Sequence, residues 1–150
     1  METLRQAAAA HMKGDLRAAL TLLGQAIEEN PDDGDAWQML AVLHFEAADI
    51  AEAERCNARA LSLDPDNGAA LNTEGNILKA RGRLEDAVKS YERTLQLAPD
   101  LPQALTNLGD ALRRLGRLDA ALEHCRKAAM LAPDLAAAHG NLGAVLFDRG

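Results

Sequence analysis

The stretch Leu105-Thr106-Asn107-Leu108-Gly109-Asp110-Ala111-Leu112, followed by Gly116, Ala121-x-x-x-Cys125, Ala128 and Pro133, sets the frame for the whole chain. The same spacing lies over the rest of the sequence. Prolines stand at Pro31, Pro65, Pro99 and Pro133, each 34 residues after the last. Ala19, Ala53, Ala87 and Ala121 keep that interval, as do Ala7, Ala41, Gly75, Gly109 and Gly143, and also Leu16, Ile50, Leu84 and Leu118. Chance does not give several independent series one register, so the chain is a 34-residue tandem repeat.

Each unit holds two apolar-periodic runs, long enough for helices of about 21 Å at about 1.5 Å per residue. Short breaks part them, at Lys13-Gly14-Asp15, Ala48-Asp49, Arg81-Gly82-Arg83 and Leu115-Gly116-Arg117. A glycine there closes a helix in the left-handed conformation. Small residues on facing helices, such as Gly109 and Ala121, allow close approach. The proline then ends the second helix, because it donates no N–H and its ring clashes with the preceding turn. One hairpin cannot bury its own apolar faces, so units must stack.

This spacing resembles the tetratricopeptide repeat family, whose pattern is Trp-x-x-Leu-Gly-x-x-Tyr, then Ala-x-x-x-Phe, then Pro. The resemblance covers residues 1–33, 34–67, 68–101 and 102–135, with a further first helix at 136–150. It implies an all-α fold, a right-handed α-solenoid of helix-turn-helix units forming one array. The second unit fits as Trp37, Leu40, Ala41, His44, Ala53, Asn57 and Pro65, and the third as Leu71, Gly75, Leu78, Ala87, Tyr91 and Pro99. Residues 136–150 read either as a capping helix or as the first half of a fifth repeat.

At 150 residues a single continuous domain is expected. The apolar fraction of 48% with only 3% aromatic suits alanine- and leucine-rich helices with small residues at their contacts. The net charge is −7, and residues 1–67 carry 13 acidic against 5 basic side chains. That acidic front argues against nucleic acid, which needs a basic stripe. No run of 18 apolar residues exists, so no membrane span is expected, and no signal peptide is visible. Cys56 and Cys125 lie two repeats apart, too far in a solenoid to pair, and free thiols suit a cytoplasmic location.

Nothing in the sequence calls for catalysis, a cofactor or a metal. There is no Gly-x-x-x-x-Gly-Lys-Ser/Thr, no Cys-x-x-Cys and no His-Glu-x-x-His. His44-Phe45-Glu46 comes nearest, but His44 holds the aromatic slot of its repeat and reads as a packed imidazole. His124 and Cys125 are neighbours that point about 100° apart on a helix, so they form no nucleophile–base pair.

The resemblance further implies that first helices line a peptide-binding groove. By register, the candidate residues are Met39, Val42, Phe45, Asn72, Thr73, Asn76, Asn107, Asp110, Arg113, Arg114 and Asn141. The slots of the family's carboxylate clamp hold Leu4, Ala8, Met39, Ala69 and Thr73, none of which matches. Asn107 and Asn141 share one slot in successive Asn-Leu-Gly triplets, and an amide pairs with both C=O and N–H of a bound backbone. The same slot carries asparagines in the O-linked N-acetylglucosamine transferases, which this region resembles. The expected function is a non-catalytic module that binds an extended protein segment. The alternatives are the N-terminal array of a larger glycosyltransferase- or sulfotransferase-like enzyme, or a self-associating scaffold. The last helix favours self-association, because Leu142, Val145, Leu146 and Phe147 offer apolar surface.

Overall fold

The computed structural model describes residues 1–150 as nine α-helices: α1 Glu2–Met12, α2 Leu16–Glu29, α3 Gly34–Glu46, α4 Ile50–Leu63, α5 Gly68–Ala80, α6 Leu84–Leu97, α7 Pro102–Arg114, α8 Leu118–Leu131 and α9 Ala136–Arg149. The fold is all-α, in helix pairs repeating with the interval read from the sequence. The helices gather into two compact units, Met1–Thr73 and Glu74–Gly150, divided within α5.

The punctuation is set by local chemistry and recurs in every repeat. A residue before proline is pushed to extended backbone. Accordingly Asn30, Asp64, Ala98 and Ala132, each preceding a proline, leave their helices at φ between −142° and −133°. The first helix of each full repeat ends differently, in a left-handed residue. Gly14, Gly82 and Gly116 all take φ 77°. The N–H beyond each reaches back to a carbonyl five residues earlier, as in Asp15 N to Ala10 O at 2.9 Å and Arg117 N to Leu112 O at 2.9 Å.

Ala48 fills the same slot at φ 60° without glycine's freedom, and is exposed. A left-handed alanine costs about 1–2 kcal/mol, of which glycine's looser unfolded chain returns about 0.4–1 kcal/mol. Ala48→Gly is therefore expected to stabilise the chain by up to about 1 kcal/mol, raising the melting temperature by about 2–4 °C. A calorimetric scan with no upward shift would remove the strain from Ala48.

Second helices start on carboxylate caps in the first two repeats. Asp15 Oδ1 accepts from Ala18 N at 3.0 Å and Asp49 Oδ1 from Glu52 N at 3.3 Å. The next two repeats place Arg83 and Arg117 there instead, and these turn to Asp86 at 2.8 Å and Glu85 at 2.7 Å. Asn67 caps α5, its Oδ1 accepting from Ala70 N at 3.0 Å.

In the first unit the core joins Ala7, Ala19, Leu23, Ala26, Ala36 and Leu43, with Met39 and Leu40 packed against it. In the second unit it joins Ala87, Val88, Tyr91, Leu108, Ala111, Leu112, Ala121, Leu122, Cys125 and Val145. Val145 corrects one expectation from the sequence. It lies wholly buried, and Leu142 packs on the same cluster. The exposed apolar surface of α9 is therefore Leu146 and Phe147 alone among the four residues expected there.

Both cysteines are free and buried. No helix is long and apolar enough to cross a membrane.

Candidate functional site

The expected binding residues all lie on first helices, α3, α5, α7 and α9, and the structure sorts them by depth. In the second unit, polar side chains link each first helix to the next. Lys79 Nζ meets Asp110 Oδ2 at 3.1 Å, Arg113 Nη1 meets Asp148 Oδ2 at 2.9 Å, and Asn141 Nδ2 donates to Thr106 O at 3.2 Å. The first unit repeats the pattern with other chemistry. His11 Nε2 and Glu46 Oε2 stand 2.7 Å apart, in the slots that Arg113 and Asp148 fill three repeats on. Gln38 Nε2 donates to Thr73 Oγ1 at 3.4 Å.

Asp110 is the hub. Its carboxylate also takes Arg113 Nη2 at 3.2 Å and Arg114 Nε at 3.2 Å, so three cations surround one acid. Burial alone would raise its pKa, but Lys79, Arg114 and Arg113 outweigh that and hold the carboxyl below the usual carboxylate range. Arg114 remains exposed, and Arg113 and Lys79 are half-buried.

Three of the expected positions lie deeper than a groove surface. Thr73 and Asp110 are buried, and Asn76 is held inward, its Oδ1 accepting from Tyr91 Oη at 2.6 Å. Asn72, Asn107 and Asn141 are half-buried, as are Met39, Val42 and Phe45 in the first unit, where Met39 also serves the core. Asn107 and Asn141 keep the same register on α7 and α9, but Asn141 spends one N–H on Thr106 O. Thr106, one residue before Asn107, is buried, and its Oγ1 has no partner.

Trp37 and His139 hold the same slot and share a device, but Trp37 is half-buried and His139 is exposed rather than packed. Trp37 Nε1 donates to Pro31 O at 2.8 Å, and His139 Nε2 lies 2.6 Å from Pro133 O, its counterpart three repeats later. The Cys125 thiol, buried in place of an aromatic ring, is pushed up to about 11, chiefly by burial with the Asp110 charge adding to it. It stays protonated near neutrality and offers no thiolate nucleophile.

Two family models, each described as a tetratricopeptide repeat, match residues 10–77 and 72–136. The chain belongs to the tetratricopeptide repeat family. These repeats are a known protein-interaction module, and the fold class is the all-α helical-repeat solenoid. Among solved structures, a chain of the "APC/C hetero-tetramer Cut9-Hcn1" superposes with a TM-score of 0.93 at 18% identity, covering 98% of this chain and 30% of that one. Pseudomonas aeruginosa pilF gives 0.86 at 23% identity over 99% of this chain and 68% of that one. A mutant O-GlcNAc transferase of Thermobaculum terrenum gives 0.80 at 27% identity, over 86% of this chain and 25% of that one. The tetratricopeptide array thus spans under a third of two of these relatives. No curated protein sequence matches it.

Proposed function

We propose that this chain is a non-catalytic, cytoplasmic interaction module that holds an extended segment of another protein along its first helices. The observation that carries the reading is the pair Asn107 and Asn141. They occupy one slot in consecutive repeats, and both are half-buried. An amide has two donors and one acceptor oxygen. Asn141 therefore keeps an N–H and its carbonyl beyond the bond to Thr106 O. Amides at a fixed interval hold a peptide backbone without reading its side chains. Arg114, exposed two turns further along α7 and bonded through Nε to Asp110, adds a positive charge for an acidic residue on the partner.

The test is calorimetric. Asn107→Ala with Asn141→Ala is expected to weaken a partner recovered by cross-linking and mass spectrometry by about 1–3 kcal/mol, because groups on the bound peptide lose their hydrogen bonds. The fold itself loses the bond to Thr106 O, a cost of about 0.5–1.5 kcal/mol. Unchanged affinity in the double variant would move the binding energy elsewhere, to Met39, Val42 and Phe45.

A second reading has its own support. The 27% identity with the Thermobaculum terrenum O-GlcNAc transferase, over a quarter of that chain, fits a repeat region carried by a larger glycosyltransferase-like enzyme. Sequencing the coding region beyond codon 150 decides it: a stop codon there excludes a following catalytic domain.

A further inference from the structure

The second repeat holds a feature that peptide binding does not use. His44, on the third turn of α3, faces Glu52 and Cys56 on α4 across the hairpin. One ligand atom from each (an imidazole nitrogen, a carboxylate oxygen and a sulfur) falls within 4.8 Å of the other two. Cys56 is buried, while His44 and Glu52 are half-buried, so the cluster has a sulfur floor and an opening toward solvent. Asp49 Oδ2 lies 3.7 Å from His44 Nδ1 and sets a second carboxylate beside the ring. Metal-binding histidines usually have such an acceptor nearby, which orients the imidazole.

The other repeats act as internal controls. Where the second repeat has His44, Glu52 and Cys56, the first has Ala10, Ala18 and Leu22. The third has Leu78, Asp86 and Ser90, and the fourth has Leu112, Ala120 and His124. The same hairpin backbone folds with apolar or mismatched residues at all three positions. Helix packing therefore does not demand this trio.

We propose that His44, Glu52 and Cys56 form a binding site for a divalent transition-metal ion of the zinc type. Imidazole, carboxylate and thiolate are the ligands such an ion takes, at about 2.0–2.3 Å. Ligand atoms already within 4.8 Å of one another need only small side-chain rotations to reach those bonds. On binding, the Cys56 thiol gives its proton to solvent and the sulfur donates a lone pair to the metal. Thiolate and carboxylate then cancel the ion's two charges. Glu52 Oε2 is bonded to Arg55 Nη2 at 2.7 Å, which leaves the other carboxylate oxygen for the metal. The fourth position, on the exposed side, takes water. Calcium and magnesium are excluded by the sulfur and nitrogen donors, since both ions prefer all-oxygen shells.

The experiment titrates the reduced 150-residue chain with Co²⁺ and reads the near-ultraviolet band of a thiolate–cobalt bond. The expected result is a one-to-one titration that zinc reverses. Cys56→Ser should abolish the band, and His44→Leu should weaken cobalt binding by more than about tenfold. Both substitutions have folded precedents at the same positions, in Ser90 and in Leu78 and Leu112. Cys125→Ser should leave the titration unchanged. Absence of a band in the parent overturns the site, as does full affinity in His44→Leu, which would reduce it to a bare thiol.

Discussion

Gly75→Ala is expected to cost about 3 kcal/mol or more and to lower the melting temperature by about 6–12 °C. A Cβ on Gly75 would stand 2.4 Å from Cε1 of Tyr91 and 2.7 Å from Cδ1 and Cζ. The obstacle is a ring, wholly buried, with its hydroxyl bonded to Asn76 at 2.6 Å. It cannot swing aside without abandoning that bond and the core around it. Gly109, the counterpart one repeat on, makes the comparison informative. There the added Cβ would stand 2.4 Å from Cys125 Sγ, an atom that one torsion moves, so Gly109→Ala should cost less. In α9 the same slot is Gly143, where a Cβ meets nothing within 4 Å. Gly143→Ala should be neutral or stabilising by up to about 1 kcal/mol, from helix propensity alone. Melting temperatures for the three alanine variants in any other order would break the account of close packing.

Asp110→Asn is expected to destabilise the chain by about 2–4 kcal/mol near neutral pH. Removing one partner of a buried ion pair costs about 3–5 kcal/mol, discounted here because Arg114 is exposed. The substitution leaves Lys79, Arg113 and Arg114 facing one another without their shared counter-charge. The pH dependence has a definite sign. The folded carboxyl titrates below its ordinary value, so it adds stability above the unfolded pKa of about 3.9. That contribution disappears as pH falls through the lower folded value. The parent should therefore lose stability in acid more steeply than Asp110→Asn. Parallel acid limbs in urea melts from pH 6 down to pH 2 would remove Asp110 from the stability of the fold.

The repeat was legible because its signals are local. Pro31, Pro65, Pro99 and Pro133 each force an extended residue just before them, and Gly14, Gly82 and Gly116 close their helices without help from distant residues. Which residues stand on first helices followed directly. Depth did not follow, because it depends on neighbours from other helices. Nothing in the string around Asn76 shows that Tyr91, fifteen residues on, reaches back for its carbonyl. Thr73 and Asp110 read as groove polar residues and lie buried. Val145 read as surplus apolar surface, yet it completes a core built from α6, α7 and α8. The His44, Glu52 and Cys56 cluster was invisible for a similar reason. A search along one helix finds His44 without a partner, since the other two ligands cross the hairpin at intervals that match no linear metal motif.

Trp37 is the chain's one tryptophan and Tyr91 its one tyrosine, and each lies in a different compact unit. The indole of Trp37 is tied to Pro31 O, so loosening the loop between α2 and α3 changes its surroundings. The phenol of Tyr91 is sealed in the core of the second unit and bonded to Asn76. Unfolding of this protein therefore carries two native optical reporters, fluorescence for the first unit and near-ultraviolet tyrosine absorbance for the second. In a denaturant titration, coincident midpoints mean that the array melts as one cooperative block. Separated midpoints mean that one half opens while the other still holds, and they identify which half without any label.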